Sequence, residues 1–188
     1  MYETTLFLHI LGVLFMFTAV GITLTGMIGM LFSEDTKTLK VWSTLAVKMD
    51  GIIPFSVFLI LIPGVYLVFT SWGWDIAWVN ISLLGLVFMT LAGPIINLRR
   101  LKIIFQAVNA ESGEKPSENV LSKVRDRVLW NSVSIMTMEV IAISYLMTIK
   151  PSLIESLVAI VIFFVLGFVF SKIALRIDTQ KNNTAQIS

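Results

Sequence analysis

Apolar residues in this chain gather in long uninterrupted runs instead of alternating with polar ones. A helix needs about 20 apolar residues to cross a hydrocarbon core about 30 Å thick, whereas a transmembrane barrel strand would show an alternating pattern. The runs that meet or approach this length cover residues 5–32, 49–71, 77–98, 130–149 and 157–174. The pattern predicts an all-α membrane protein, a polytopic bundle of five transmembrane helices within a single domain over residues 1–176.

The fifth run differs from the other four because it holds few small or polar side chains apart from Gly167. Helices in lipid associate through small residues and a few polar groups, so a run without them is typical of a helix at the edge of a bundle. We therefore expect a four-helix core formed by the first four spans, with a peripheral C-terminal helix beside it.

The segment between the third and fourth spans, residues 99–129, carries shorter amphipathic stretches on either side of a polar break at 111–118. Its apolar side chains recur at helical spacing. They are Leu101, Ile104, Phe105 and Val108, and then Leu121, Val124 and Val128. This spacing predicts a cytoplasmic helical hairpin whose polar faces are solvated. Residues 177–188 are predicted to form a disordered cytoplasmic tail.

Basic residues are distributed unevenly among the segments that join the spans. Thirteen of the 14 Lys and Arg residues follow the first, third or fifth span, and Lys150 is the exception. Because positively charged loops stay on the cytoplasmic side, we predict a plasma (inner) membrane protein with its N-terminus outside and its C-terminus in the cytoplasm. This distribution accounts for the net charge of +2. It indicates the lipid bilayer as the partner, and not nucleic acid.

The composition excludes several kinds of chemistry. Charged residues make up only 14% of the 188 residues, whereas a soluble domain carries about 25%. The chain has no cysteine and a single histidine. These counts exclude disulfides, thiolate metal sites and cysteine nucleophiles, as well as multi-histidine zinc or copper cages. We therefore expect no metal site of those kinds.

One face of the first span carries a repeat of small residues. Gly21, Thr25 and Gly29 recur every four positions and share one side of a helix. Small residues at this spacing let helices approach closely in lipid. The face is predicted to pack against another helix, either within the bundle or in a homo- or hetero-oligomer.

The most informative single residue is Glu139, which lies near the middle of the fourth span. Carboxylates at this depth are costly, so they face a bundle interior and often serve a function. Two interpretations stay open: Glu139 is a proton relay and thus a catalytic group, or it forms a hydrogen bond between helices. Its partner would then be Thr90 or Asn97, or a threonine of the first span. Asp50, at the start of the second span, is interpreted as an interfacial charge.

His9 lies in the first span, close to the predicted outer surface. Imidazole and thioether together form a known pair of haem ligands. His9 is therefore a candidate haem ligand, and the candidates for a second ligand are Met136, Met138 and Met147 on the fourth span. The alternative is a packing histidine that is held by a hydrogen bond.

Several short motifs occur in an order that resembles an uncharacterised family of small bacterial integral membrane proteins, a domain of unknown function. They are Leu8-His9-Ile10-Leu11-Gly12 in the first span, Ile53-Pro54 and Pro63-Gly64-Val65-Tyr66-Leu67 in the second, Trp78 in the third, and Met147-Thr148-Ile149-Lys150-Pro151 after the fourth. The likeness covers about residues 5–151. That family is distantly similar to HemJ-type membrane protoporphyrinogen oxidases and to CopD-type membrane proteins, which also begin with a histidine in an apolar first helix. In the HemJ type this histidine is implicated in haem binding, so the resemblance implies haem as a cofactor held by His9.

Two hypotheses on function follow. In the first, the chain is a haem-binding or redox-associated membrane protein, with His9 as the ligand and Glu139 as a buried proton or hydrogen-bond group. In the second, it is a non-enzymatic membrane protein, either a small transport component or an accessory subunit of a membrane complex.

Overall fold

The structure is a computed structural model that describes the backbone of residues 1–187 and the side chains of residues 1–177. Over these residues the fold is all-α, as predicted. Its helices are α1 (Tyr2–Leu31), α2 (Thr36–Asp50), α3 (Ile53–Leu67), α4 (Ala77–Gly93), α5 (Arg99–Ala110), α6 (Glu118–Val124), α7 (Arg127–Ile149) and α8 (Leu153–Ile187). The predicted tail at 177–188 falls, apart from Ile177, outside the fully described residues.

Within the described part of the chain, five helical stretches are long and apolar enough to cross a membrane, which confirms the predicted number of spans. They run over Tyr2–Leu31, Thr36–Trp72, Ala77–Ala110, Glu118–Ile149 and Leu153–Ile177. In the most apolar 18 residues of each stretch, only 17–39% of the residues are buried inside the protein. Most apolar side chains therefore point outward, as expected of helices that lipid surrounds.

The second span begins earlier than the apolar run suggested, because helix α2 precedes it. Asp35 caps this helix by accepting a hydrogen bond from the backbone N–H of Thr38 at 2.8 Å. The buried positions of α2 then follow a spacing of three and four residues, and they are Thr36, Leu39, Ser43, Ala46 and Asp50. This stripe packs against α1 and α5. The segment between the first two spans is thus a structured part of the bundle.

The predicted hairpin forms helices α5 and α6, and its apolar stripe is covered by the rest of the chain. A hydrophobic core surrounds the hairpin and joins α1, α2, α5, α6 and α7. Its most deeply buried members include Leu39, Ile104, Val108, Val124 and Trp130. Arg100 of α5 forms an ion pair with Asp126, which also caps α7 by accepting the N–H of Val128. We refer to this part of the molecule as the basic end, and to the part that holds Tyr2, Trp72 and Lys150 as the N-terminal end.

Helix α8 lies at the edge of the bundle, which confirms the predicted four-helix core with a peripheral C-terminal helix. It packs on α7 through Gly167, where an added Cβ would lie only 2.6 Å from Cα of Ile135. Nearby, the hydroxyl of Ser171 donates a hydrogen bond to Asn131 at 2.7 Å. Ala159 adds a buried apolar contact, in a cluster with Leu146 of α7. These contacts hold a helix whose outward side chains are largely exposed.

The small residues of α1 do not form one continuous interface. A Cβ on Gly29 would lie 2.2 Å from a ring carbon of Trp42 on α2, so Gly29 packs within the chain. Gly21 has nothing within 4 Å of such an atom, and Thr25 is exposed and donates to the carbonyl of Gly21 on its own helix. The predicted face is therefore divided between an internal contact and an open patch.

Candidate functional site

Helices α1, α3, α4 and α7 enclose a cavity of about 430 Å³ at the N-terminal end of the bundle. Its wall is mostly aliphatic, and aromatic and basic side chains gather where it approaches the surface: Tyr2, Trp72, Trp74 and Lys150. We call this space the N-terminal cavity. Its size lies within the roughly 300–1,000 Å³ of small-molecule sites, which are likewise mostly apolar with a few polar groups.

His9 is one of the polar groups that line the N-terminal cavity. Its side chain is buried, and its Nδ1 lies 2.8 Å from the backbone carbonyl oxygen of Ile60 on α3. Glycine at position 64 makes room for the ring, since an added Cβ there would lie 3.0 Å from Nδ1. Gly12, one turn further along α1, allows the two helices to touch backbone to backbone. The position of the imidazole thus depends on two glycines at one helix crossing.

The hydrogen bond to Ile60 decides which nitrogen of His9 is available. A carbonyl oxygen only accepts, so in the neutral ring Nδ1 carries the proton and donates it. The lone pair is then on Nε2. Histidines that bind metals are held in the same way, with the second ring nitrogen donating to a backbone carbonyl or a carboxylate. The bond therefore orients a basic nitrogen of a residue that lines the cavity.

A second polar group of the cavity wall lacks a partner. The hydroxyl of Ser82 on α4 is fully buried and has no hydrogen-bond partner among the described residues, and Ser82 lines the N-terminal cavity. Buried hydroxyls are normally paired, because leaving one unpaired costs about 1–3 kcal/mol. A molecule bound in the N-terminal cavity could pair with this hydroxyl, since Ser82 lines the same space as His9.

The methionines divide into two groups. Met16, Met89 and Met147 line the cavity together with His9, so Met147 is the predicted second-ligand candidate that shares this space. Met136 lies deeper, where its sulfur accepts a hydrogen bond from Asn97 at 3.1 Å. Met138 lies on α7 outside the lining of the cavity.

Glu139 is separate from His9. Its side chain is 8% exposed and faces α4, with Oε2 lying 3.7 Å from the place of a Cβ on Gly85. It does not line the N-terminal cavity. The expected partners are engaged elsewhere: Thr90 donates to the carbonyl of Leu86, and Asn97 donates to Met136. No hydrogen bond joins Glu139 to another residue within the described part of the chain.

Sequence reasoning singled out His9 and Met147, but it did not assign the other residues of the cavity to one site. Ser82, Gly64 and Met89 stand in apolar runs where many positions look alike, and only the rotation of each helix about its axis brings them to the cavity. The signal that could have identified one of them is the Pro63-Gly64 pair, because small residues in a membrane helix mark close approach.

Residues 3–151 match the family model described as "Predicted integral membrane protein (DUF2269)". No curated protein and no solved structure matches the chain significantly.

Proposed function

Because the chain belongs to the DUF2269 family of integral membrane proteins, we propose a function that is carried out within the membrane: binding of a hydrophobic cofactor in the N-terminal cavity, with His9 as its ligand. Haem is the cofactor of this class that the resemblance to HemJ-type proteins implies. The observation that carries the proposal is the 2.8 Å contact from Nδ1 of His9 to Ile60. It leaves Nε2 as the basic nitrogen of a residue that lines a cavity of about 430 Å³.

The donor set of the cavity fits haem. Imidazole from His9 and thioether from Met89 or Met147 are both present in the lining, and His with Met is a ligand pair that haem proteins use. The aliphatic wall suits a macrocycle, and Lys150 at the surface end supplies a cation for its carboxylates. When bound, haem would supply one-electron redox chemistry.

The protein's own residues have distinct tasks in this proposal. His9 holds the ligand and fixes its orientation, because its ring is held by Ile60 and packed on Gly64. Trp72 packs on Trp78, with ring centroids 5.5 Å apart, and so limits the entry of water at the surface end. Glu139 lies outside the cavity, so in this proposal it is a structural group of the α4–α7 crossing and not a proton relay to the ligand.

The proposal is tested by absorbance spectroscopy of the detergent-purified protein, titrated with hemin. We expect a Soret band that shifts on binding in the wild type and is lost in His9→Ala. Met138→Leu is the matched control, because Met138 lies outside the cavity, and it should bind as the wild type does. Ser82→Phe, which fills the cavity without touching His9's hydrogen bond, should also abolish binding.

Two results would overturn the proposal. A folded wild-type protein that leaves the hemin spectrum unchanged excludes haem as the ligand. Binding that survives in both His9→Ala and Ser82→Phe excludes the N-terminal cavity as the site. The Ser82 variant keeps the test decisive even where loss of His9 prevents folding.

A second candidate function is that of an accessory subunit that docks through α1. The observation that favours it is the open patch at Gly21, where nothing lies within 4 Å of an added Cβ, next to the exposed Thr25. A folded wild-type protein that leaves the hemin spectrum unchanged would exclude the first function, and loss of a co-purifying partner in Gly21→Phe would support the second.

A further inference from the structure

A second, smaller cavity lies between the N-terminal cavity and the basic end of the bundle. It has a volume of about 40 Å³, which exceeds the 10–15 Å³ that a single water molecule requires. Met16 and Met89 line both cavities and so form the partition between them. We call the smaller one the Asp50 chamber.

Five oxygen-bearing side chains line the Asp50 chamber, and two of them, Thr90 and Thr137, donate hydrogen bonds to carbonyls of their own helices. The other three come from three different helices. Thr23 of α1 is 1% exposed, Asp50 at the end of α2 is 6% exposed, and Asn97 is 4% exposed. The hydroxyl of Thr23 and the carbonyl oxygen Oδ1 of Asn97 are buried without a hydrogen-bond partner. The expectation that Asp50 is an interfacial charge is therefore wrong: the side chain is buried in the bundle.

Asp50 also lacks a partner among the described residues. Arg100 forms its ion pair with Asp126, and no hydrogen bond or ion pair joins Asp50 to another described residue. A buried carboxylate without a counter-charge is costly in a membrane protein. An unpaired carboxylate beside two unpaired neutral oxygens points to a ligand that is positively charged.

Two interruptions of helical hydrogen bonding, both at prolines, lie at the Asp50 chamber. Pro54 lacks the N–H that would pair with the carbonyl of Asp50, and α2 ends there. Pro94 begins a π-helical segment, Pro94–Leu98, that carries Asn97, and both prolines line the chamber. Interrupted helices at depth in a membrane protein are typical of ion sites, because their free carbonyls coordinate cations.

The donor set identifies the class of cation. Among the described residues, no three acidic or histidine side chains gather as a metal site, which argues against a divalent ion. One carboxylate with neutral oxygens balances a single positive charge. We propose that the Asp50 chamber binds one alkali cation, Na⁺ or K⁺, through Asp50, Thr23 and Asn97. This proposal is independent of a ligand in the N-terminal cavity.

Thermal unfolding of the purified full-length protein in detergent tests the cation site. The Tm is measured in NaCl, in KCl and in N-methylglucamine chloride at equal ionic strength. We expect a saturable rise in Tm with one of the alkali cations, on the order of 5–10 °C at a hundredfold excess over Kd. Asp75→Asn is the matched control, since Asp75 is an exposed carboxylate outside the chamber, and it should keep the full rise.

Two variants of the chamber should lose the response. Asp50→Asn removes the charge, and Thr23→Val removes one oxygen while keeping the shape of the side chain. Equal Tm of the wild type in all three salts would overturn the proposal, since the chamber would then hold water alone. A full alkali response in both Asp50→Asn and Thr23→Val would overturn it as well. Thr23→Val remains informative where Asp50→Asn fails to fold.

Discussion

Gly12 is the residue at which α1 and α3 touch, and this contact governs what His9 can reach. A Cβ there would lie 2.7 Å from the carbonyl carbon of Leu59 and 2.8 Å from the backbone nitrogen of Ile60. Backbone atoms cannot rotate away, so Gly12→Ala must push α3 away from α1 and lengthen the hydrogen bond of His9. We expect a loss of about 1–3 kcal/mol in the free energy of unfolding, measured as a lower Tm in detergent.

Gly21→Ala is the matched control for this prediction, since it makes the same change on the same helix. Nothing lies within 4 Å of its added Cβ, so Gly21→Ala should leave the free energy of unfolding unchanged or raise it by up to about 1 kcal/mol, the helix propensity of alanine over glycine. Equal Tm values for the two variants would contradict the close contact at Gly12.

The glycines also show how far sequence reasoning reaches at the scale of a residue. The i, i+4 repeat of Gly21, Thr25 and Gly29 predicted one interface, yet the structure pairs Gly29 with Trp42 and leaves Gly21 open. A small residue indicates that a close approach is sterically allowed. Which partner fills the space depends on how the helices are arranged, and a single sequence does not contain that arrangement in its local pattern.

At the scale of an element, helix α2 depends on a charged cap. The backbone N–H and the hydroxyl of Thr38 both donate to Asp35, and these hydrogen bonds hold the pKa of Asp35 below its usual value of 3.8. A carboxylate with a lowered pKa stabilises the fold fully above its unfolded pKa, and this contribution is lost as the pH falls through the folded pKa. Asp35→Ala should therefore lower the Tm at neutral pH. The difference in Tm between this variant and the wild type should shrink as the pH falls below 3.8, the ordinary pKa of the carboxyl.

This prediction is checked by recording thermal unfolding from about pH 7 to about pH 3, a range that brackets the carboxyl titration. Asp35→Asn is the control, because asparagine also caps helices but does not titrate. A deficit of the alanine variant that stays constant across the range would show that the ionised carboxylate is not the stabilising cap.

The elements themselves were predictable to different degrees. The five spans were found because hydropathy over about 20 residues needs no knowledge of the partner helices. Helix α2 was missed because only half of it is apolar, and its stripe of Leu39 and Ala46 is buried by packing against α1 and α5. The burial of Asp50 was missed for the same reason: its side chain lines a cavity together with residues as distant in the sequence as Asn97 and Val133.

At the scale of the whole molecule, the outer surface is largely apolar. Side chains such as Phe58, Ile62, Phe69 and Leu84 are 61–70% exposed. Soluble monomers rarely expose apolar patches larger than a few hundred Å², so this surface requires lipid around it. The bundle then has two ends in water, and the two cavities lie at different depths between them.

The distribution of charges predicts the orientation of the bundle in the membrane, and this prediction can be tested directly. The chain has no native cysteine. The single-cysteine variants Asp75→Cys and Lys115→Cys therefore each report which side of the membrane that position faces. Both positions are exposed, and they lie at the N-terminal end and the basic end. We expect a membrane-impermeant maleimide to label Asp75→Cys in intact cells, and Lys115→Cys only after the membrane is permeabilised, because basic loops remain in the cytoplasm.

This experiment also decides which solution each cavity faces. In the expected orientation, the N-terminal cavity takes its ligand from the outer side, and the Asp50 chamber exchanges its cation with the cytoplasm. Labelling of Lys115→Cys alone in intact cells would reverse both assignments. Labelling of both in intact cells would contradict the odd number of membrane crossings that separates these two positions, and with it the placement of both cavities within the bilayer.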